Sequence, residues 1–420
     1  MLVALVAAAT PVGRAAPAGA EPESELTGNA GHVPDSTKPR LTAAFAQESY
    51  RPGELARLVI TDRAAHVGVR FFRAGGENGP TLARDVMRGM PVSQVSELGA
   101  VHGRLAVSLR IGAWPSGVYF ARLTAPGSRV GYAPFVLAPR TLGEHRIAVV
   151  LPTQTWQAYN FRDDNGDGRP DTWYAGWKTH RARLIRPFLD RGVPPHWKRY
   201  DAPFVRWLAH THRQVDYLSD SELRNVESGD ALARAYTLIV FSGHHEYVTA
   251  HEYGVVTRYR DLGGNLAFLA ANNFFWKITI ANGVMTRVAK WRDLGRPEAA
   301  LIGVQYRGND RGEHRGAWIV QPDAAHAPWL FDHLRVTSGD GVGVGGIEID
   351  ATSSASPKGV LILAKIPNLF GPGFTADMTY YETAAGAKVF AAGAFSLADS
   401  VWDPQISRLM TNLWTHLSTP

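Results

Sequence analysis

Two patterns of hydrophobic spacing divide this chain, and together they restrict it to few architectures. From residue 41 to about 139 the apolar residues fall in short alternating runs, at 55–61, 67–73, 105–111, 117–123 and 131–137. Turn residues separate these runs at short intervals, which predicts an all-β sandwich with an immunoglobulin-like layout. After Thr141-Leu142-Gly143-Glu144-His145 the pattern changes. Strand-like runs appear at 146–151, 214–218, 238–242, 265–269 and 360–366, with helical patterns between some of them. In 251–262, Val255, Tyr259 and Leu262 share a face, and 405–417 reads as an amphipathic terminal helix. Strands alternating with helices predict a three-layer α/β domain around a mostly parallel sheet. A hairpin of 378–382 and 388–393 looks appended to it. The expected organisation is a leader and linker over 1–38, the sandwich over 39–140 and the α/β domain over 145–420.

Composition excludes several chemistries. The chain has no cysteine, which removes disulfides, Cys-ligated zinc, iron–sulfur clusters and thiol nucleophiles. The net charge of +6 is scattered, with no polybasic tract, so it reads as a solvated surface and not as a nucleic-acid footprint. Leu2-Val3-Ala4-Leu5-Val6-Ala7-Ala8-Ala9 is apolar but too short to span a bilayer. A small-residue region through Ala20 follows, as in a signal peptide with an A-x-A-like cleavage site. The basic start of such a peptide is missing, so the N-terminus reads as truncated. Export, to the medium or the cell envelope, is the expectation, and no other segment is apolar enough to cross a membrane.

The residues that carry chemistry gather in the second region. Ser242-Gly243-His244-His245-Glu246-Tyr247 follows the buried-strand run Leu238-Ile239-Val240-Phe241. Ligand sites in open α/β sheets lie just past the carboxyl ends of strands. Tyr159, in Gln157-Ala158-Tyr159-Asn160, and Asn272, in Ala271-Asn272-Asn273, follow two other strands and would emerge on the same edge. Glu382 sits on the late hairpin. Taken singly, each has a plain structural reading, as packing, a turn or a hydrogen-bonded histidine. Asp163-x-Asn165-x-Asp167-Gly168-x-x-Asp171 spaces oxygen ligands as in the first half of a calcium loop, and predicts a structural calcium. Its twelfth position is Tyr174, so the closing Glu of an EF-hand is absent; an Asx-rich turn is the alternative. Other motifs fail. There is no Gly-x-Ser-x-Gly elbow, His245-Glu246 and His251 miss the HExxH spacing, and the glycine run Gly341–Gly346 reads as a mobile or hairpin loop.

At these residues the chain resembles the large (β) subunit of N,N-dimethylformamidase and its relatives. The resemblance rests on Gln157-Ala158-Tyr159-Asn160, Gly243-His244-His245-Glu246-Tyr247, Gly263-Gly264-Asn265 with Asn272 and Trp276, Tyr381-Glu382, and Ser116-Gly117-Val118-Tyr119 in the sandwich. It implies an amidohydrolase with one iron, expected ferric, bound by Tyr119, Tyr159 and Glu246, and with His244, Asn272 and Glu382 as catalytic residues. Two phenolates and a carboxylate are hard donors suited to such an ion. Read from the residues alone, a Tyr in Ser-Gly-x-Tyr packs inside a sandwich; as a ligand, Tyr119 would have to reach across from it. The resemblance further implies a small-molecule amide as substrate, and a small subunit or a second copy of the chain as partner. The family's lectin-like N-terminal region has no counterpart in this sequence.

Two other readings stand beside it. One is a secreted, non-catalytic module binding carbohydrate or cell wall through Trp173, Trp177, Trp197 and Trp207. The other starts from the expected topology of 145–420, which is similar to class I glutamine amidotransferases, a flavodoxin-like fold. Those enzymes use a Cys nucleophile, so only the fold could carry over.

Overall fold

The computed structural model describes residues 40–175, 179–395 and 397–419; the expected leader lies outside them. The fold is β-rich, with several sheets and a smaller complement of helices. In the first region Ala43–Phe45, Leu55–Ile60 and Leu105–Arg110 form a three-stranded antiparallel sheet. A second sheet is built on Val67–Arg73, Gly117–Ala125 and Arg129–Leu137. Alternation sets the inner faces: Ala56, Leu58 and Ile60 meet Val67, Val69, Phe71, Tyr119, Ala121 and Leu123 in one core.

Gly117–Ala125 and Arg129–Leu137 also bury their other faces. Val118, Phe120, Tyr132 and Val136 join a core that includes Trp156, Phe188, Val193, Trp197 and Val205 from the second region. This two-sided burial explains why Val118-Tyr119-Phe120-Ala121 is continuously apolar instead of alternating. Ser116 bridges the regions as well: its hydroxyl donates to Leu137 O (2.9 Å) and accepts from Tyr217 N (2.8 Å). The approach is closest at Gly192, whose φ is 90° and where a Cβ would lie 1.8 Å from Tyr132 O.

The second region is organised on an eleven-stranded sheet. Five strands run parallel in the order Asp216–Ser219, Ile147–Leu151, Leu238–Phe241, Asn265–Phe268 and Lys388–Ala391. Successive residues feed opposite cores. Val149, Val240 and Ala267 face the side covered by helices Ala202–His210 and Pro404–Ser418. Val150, Ile239 and Leu266 face helices Gly229–Ala235 and Ala250–Asp261. The last of these helices starts at a capping box between Thr249 and Glu252.

The expectation of a mostly parallel sheet needs correction. Only four of the ten strand pairings in this sheet are parallel; the remaining six, from Ala376–Glu382 onward, are antiparallel. The late hairpin is not an appendage, because Lys388–Ala391 is the fifth parallel strand and Ala376–Glu382 begins the antiparallel half. The glycine run is not a loop but part of the strand Gly341–Ala351. Its glycines admit large neighbours: a Cβ on Gly345 would lie 2.6 Å from the Trp318 ring, and one on Gly343 2.3 Å from Ile406 Cδ1. A further four-stranded sheet of Arg181–Arg183, Val284–Lys290, Trp276–Ala281 and Tyr247–Thr249 was not anticipated. Among the described residues no helix is long and apolar enough to cross a membrane.

Gly192→Ala is expected to lower stability by at least about 2 kcal/mol, because the backbone conformation and the Tyr132 carbonyl both exclude a side chain. Gly254→Ala, in helix Ala250–Asp261 with open space around it, is expected to raise stability by about 0.5–1 kcal/mol. Urea unfolding of the two variants checks both.

Candidate active site

In the parallel half of the sheet, the strand Ile147–Leu151 has Asp216–Ser219 on one side and Leu238–Phe241 on the other. The connections therefore leave Ile147–Leu151 and Leu238–Phe241 in opposite directions and open a crevice between them. The short helix Thr153–Ala158 follows the first strand and delivers Tyr159. Residues 242–246 follow the second and deliver His244 and Glu246. Glu246 is completely buried. Its Oε2 accepts hydrogen bonds from Tyr159 Oη (2.9 Å) and Tyr174 Oη (2.8 Å). The Tyr174 hydroxyl also contacts that of Tyr247, which accepts from Trp173 Nε1 (3.2 Å). The Glu246 backbone is fixed at both ends, its N–H on Thr155 Oγ1 (3.2 Å) and its carbonyl on Trp276 N (2.8 Å).

Tyr174 arrives through the Asp-rich loop. The loop returns to its starting point: Asp171 N donates to Arg162 O (3.0 Å) and Thr172 Oγ1 to Ala158 O (2.5 Å). That closure brings the Tyr174 ring to 4.5 Å from the Tyr159 ring. Within the loop, Asp163 accepts from Gly166 N (2.7 Å) and Gly168 N (2.8 Å), Asn165 from Asp167 N (2.8 Å), Asp167 from Arg169 N (2.9 Å) and Asp171 from Asp164 N (2.7 Å). The residues expected to bind calcium thus engage the loop's own amides. Among the described residues no group of three or more His, Asp or Glu side chains is arranged to hold a metal. A centre in which tyrosines supply two of three donors falls outside that class.

His244 Nε2 lies 3.5 Å from Glu246 Oε2 and 3.5 Å from Glu348 Oε2. Burial, with His196 and His245 nearby, pushes the His244 imidazole well below the usual histidine range. Glu348 comes from inside the strand Gly341–Ala351, where the register slips against Ala394–Phe395 and Ile347 takes a φ of 70°. A β-branched residue at positive φ is a genuine outlier, of the kind that collects at functional sites. Asn272 is also left-handed (φ 55°), held by Asp350 through its backbone N–H (2.9 Å). Its side chain is buried, and neither amide atom has a hydrogen-bond partner among the described residues. His245 is structural: its Nδ1 is 3.2 Å from Gly243 O, its ring packs edge-on to Phe241, and burial pushes it down to about 3.

The structure therefore brings Tyr159, His244 and Glu246 together, with Asn272 following the neighbouring strand. Two expected residues are elsewhere. Tyr119 points into the sandwich, stacked between Trp114 and Phe135, with its hydroxyl donating to Pro115 O (2.8 Å). It is Val118 and Phe120, on the opposite face of that strand, that pack against the site-bearing region. The second tyrosine on Glu246 is Tyr174. Glu382 pairs with Lys388, the first residue of its parallel strand, so it stands at the opposite edge of the sheet from Glu246. Its carboxylate accepts from Tyr380 Oη (2.5 Å) instead. The carboxylate beside His244 is Glu348. The tryptophans Trp173, Trp197 and Trp207 are fully buried and form no binding face; Trp177 lies outside the described residues.

Asp201 was not anticipated. It ends the single π-helical turn Trp197–Asp201, a local geometry frequent at functional sites. Its Oδ2 accepts from Trp156 Nε1 (3.1 Å), while its Oδ1 has no hydrogen-bond partner among the described residues. It lines a small cavity with Tyr159, His196, Tyr200 and His244. Burial pushes its carboxyl up to about 7. A raised value means that the folded state keeps a proton the unfolded chain releases. The stability from this group is therefore full below about pH 4 and is lost as pH rises through about 7. Asp201→Asn should remove that loss. In urea unfolding across this window, the variant should gain on the wild type by at most about 1.4 kcal/mol per pH unit.

Comparison with known proteins adds to this geometry. Residues 104–402 match the family described as "N,N-dimethylformamidase beta subunit-like, C-terminal". The N,N-dimethylformamidase beta subunit of Paracoccus aminophilus is 25% identical over 315 residues, covering 60% of this chain and 41% of that protein. The N,N-dimethylformamidase beta subunit of an Alcaligenes species is 24% identical over 313 residues, with the same two coverages of 60% and 41%. The match thus spans about two fifths of the length of these relatives. Among solved structures, a superoxide reductase (neelaredoxin) from Ignicoccus hospitalis overlaps 24% of this chain and 83% of its own at 10% identity, with a TM-score of 0.16. That overlap is too small to carry any argument.

Proposed function

The chain belongs to the N,N-dimethylformamidase beta subunit-like family, and from that premise we propose that it is a metal-dependent hydrolase of amide C–N bonds. The observation that supports this most is the convergence of two tyrosine hydroxyls on one buried Glu246 oxygen, at the point where the parallel strands diverge. We infer that Tyr159, Tyr174 and Glu246 hold a single ferric ion. The donor set fits, because all three atoms are oxygens suited to a hard cation. Burial and the Glu246 carboxylate push the Tyr174 phenol well above its usual range, and a cation there would reverse that preference. When bound, such an ion would polarise an amide carbonyl as a Lewis acid.

The chain's own residues supply the remaining roles. His244, held neutral by burial, takes the proton of the attacking water at Nε2, Glu348 at 3.5 Å stabilises the imidazolium that results, and the imidazolium gives that proton to the leaving amine nitrogen as the C–N bond breaks. Asn272 donates its amide N–H to the oxygen on which negative charge develops. Neither of its amide atoms has a hydrogen-bond partner among the described residues, which suits it to that contact. Like the relatives, whose names mark them as beta subunits, the chain assembles with a further subunit. We also infer that the parallel half of the sheet is flavodoxin-like, since its strands run in the order second, first, third, fourth, fifth.

Metal analysis and visible absorption test the centre. We expect near-stoichiometric iron and a tyrosinate-to-ferric band, which Tyr159→Phe and Tyr174→Phe abolish and Tyr119→Phe leaves intact. A protein that takes up no iron when it is supplied during expression would end the metallohydrolase reading. For the acid–base group, Glu348→Gln should lower kcat by about 100-fold or more with iron retained, while Glu382→Gln stays close to wild type. The reverse result would reinstate Glu382.

A further inference from the structure

A cavity of about 910 Å³ opens onto the site past Tyr159 and His196. It lies near the upper end of the range of about 300–1,000 Å³ typical of ligand pockets, and an amide of only a few atoms would leave most of it filled with water. Its walls carry an excess of positive charge. Arg199 and Arg311 both line it; Arg199 lies over the Tyr200 ring (5.6 Å), and neither guanidinium has a carboxylate partner among the described residues. The two belong to facing segments: a guanidinium nitrogen of Arg199 is 4.0 Å from the position a Cβ would take on Gly312, next to Arg311. Lys198 lines the same wall, its ammonium donating to Leu82 O (2.8 Å). Two carboxylates, Asp190 and Asp399, are also present, and each already has a partner of its own. Two guanidiniums that line one cavity without a carboxylate partner among the described residues make it favourable for an anion.

We propose that the substrate is an amide with a carboxylate remote from the scissile bond, as in an N-acylated amino acid. The reacting carbonyl sits at the Tyr159 and His244 end, and the carboxylate is clamped by Arg199 and Arg311. The paired N–H groups of a guanidinium match a carboxylate in geometry as well as in charge. The substrate assignment rests on the amidase reading above; the anion-binding end of the cavity rests on the cavity alone.

The test uses the full chain with iron supplied and two probes of nearly identical shape, hippurate and its neutral counterpart N-benzoylglycinamide. Calorimetry should show hippurate binding about tenfold more tightly or better, weakening as salt is added. Arg199→Glu and Arg311→Glu should each remove most of that preference and leave both the neutral probe's affinity and the visible iron band unchanged. Equal binding of the two probes, or a preference that survives both charge reversals, overturns the proposal. Hydrolysis, followed by benzoate release, separates this inference from the one beneath it. Cleavage of the neutral amide without preference for hippurate would keep the amidase reading and overturn the anionic substrate. Charge-dependent binding with neither iron nor cleavage would keep the anion site and overturn the amidase reading and, with it, the substrate assignment.

Discussion

A carboxylate with no exposed surface governs the arrangement of this molecule. Glu246 cannot be buried as it is unless several groups are brought to it. Those groups come from separate parts of the chain: Tyr159 from the loop after the first parallel strand, Tyr174 from beyond an Asp-rich excursion, and His244 from its own loop. Each has to be held independently, and the supporting contacts are visible. Thr155 fixes the Glu246 amide, Thr172 closes the excursion, and the four-stranded sheet begins at Tyr247 immediately beyond the carboxylate. Much of the irregular structure in the second region can be understood as the means of keeping one oxygen atom surrounded.

The mixed sheet matters to that arrangement. A purely parallel sheet offers its ligands only from the loops past its strand ends. Here the antiparallel half adds a residue from within a strand, because the distortion at Ile347 turns Glu348 toward His244. Loop residues and a strand residue thus meet on one imidazole.

How much of this was readable beforehand depended on whether the signal was local. The strand Leu238–Phe241, the loop that follows it and the positions of Tyr159 and Asn272 after their strands were all legible, because hydrophobic runs and strand–loop order are properties of short stretches. Tyr174 was not, since only the closure of a loop in space returns it to Tyr159, and at the twelfth position of a calcium-like repeat it looked like a missing ligand. Glu348 was hidden two residues past a glycine run read as a loop. Those glycines are there for the Trp318 ring and Ile406, which lie far away in sequence. The roles of Tyr119 and Glu382 came from the family resemblance, and a matching motif does not say which face of a strand or which edge of a sheet a side chain occupies. Strand direction and register decide both cases.

The hairpin of Gly117–Ala125 and Arg129–Leu137 belongs to two cores at once, with Tyr119 and Ala121 in one and Val118 and Phe120 in the other. A boundary near residue 140 is therefore a boundary in the order of the chain but not in its cooperativity. Unfolding either region alone would expose apolar surface of the other. Damage deep in the sandwich, well away from any reacting atom, would then reach the groups gathered around Glu246.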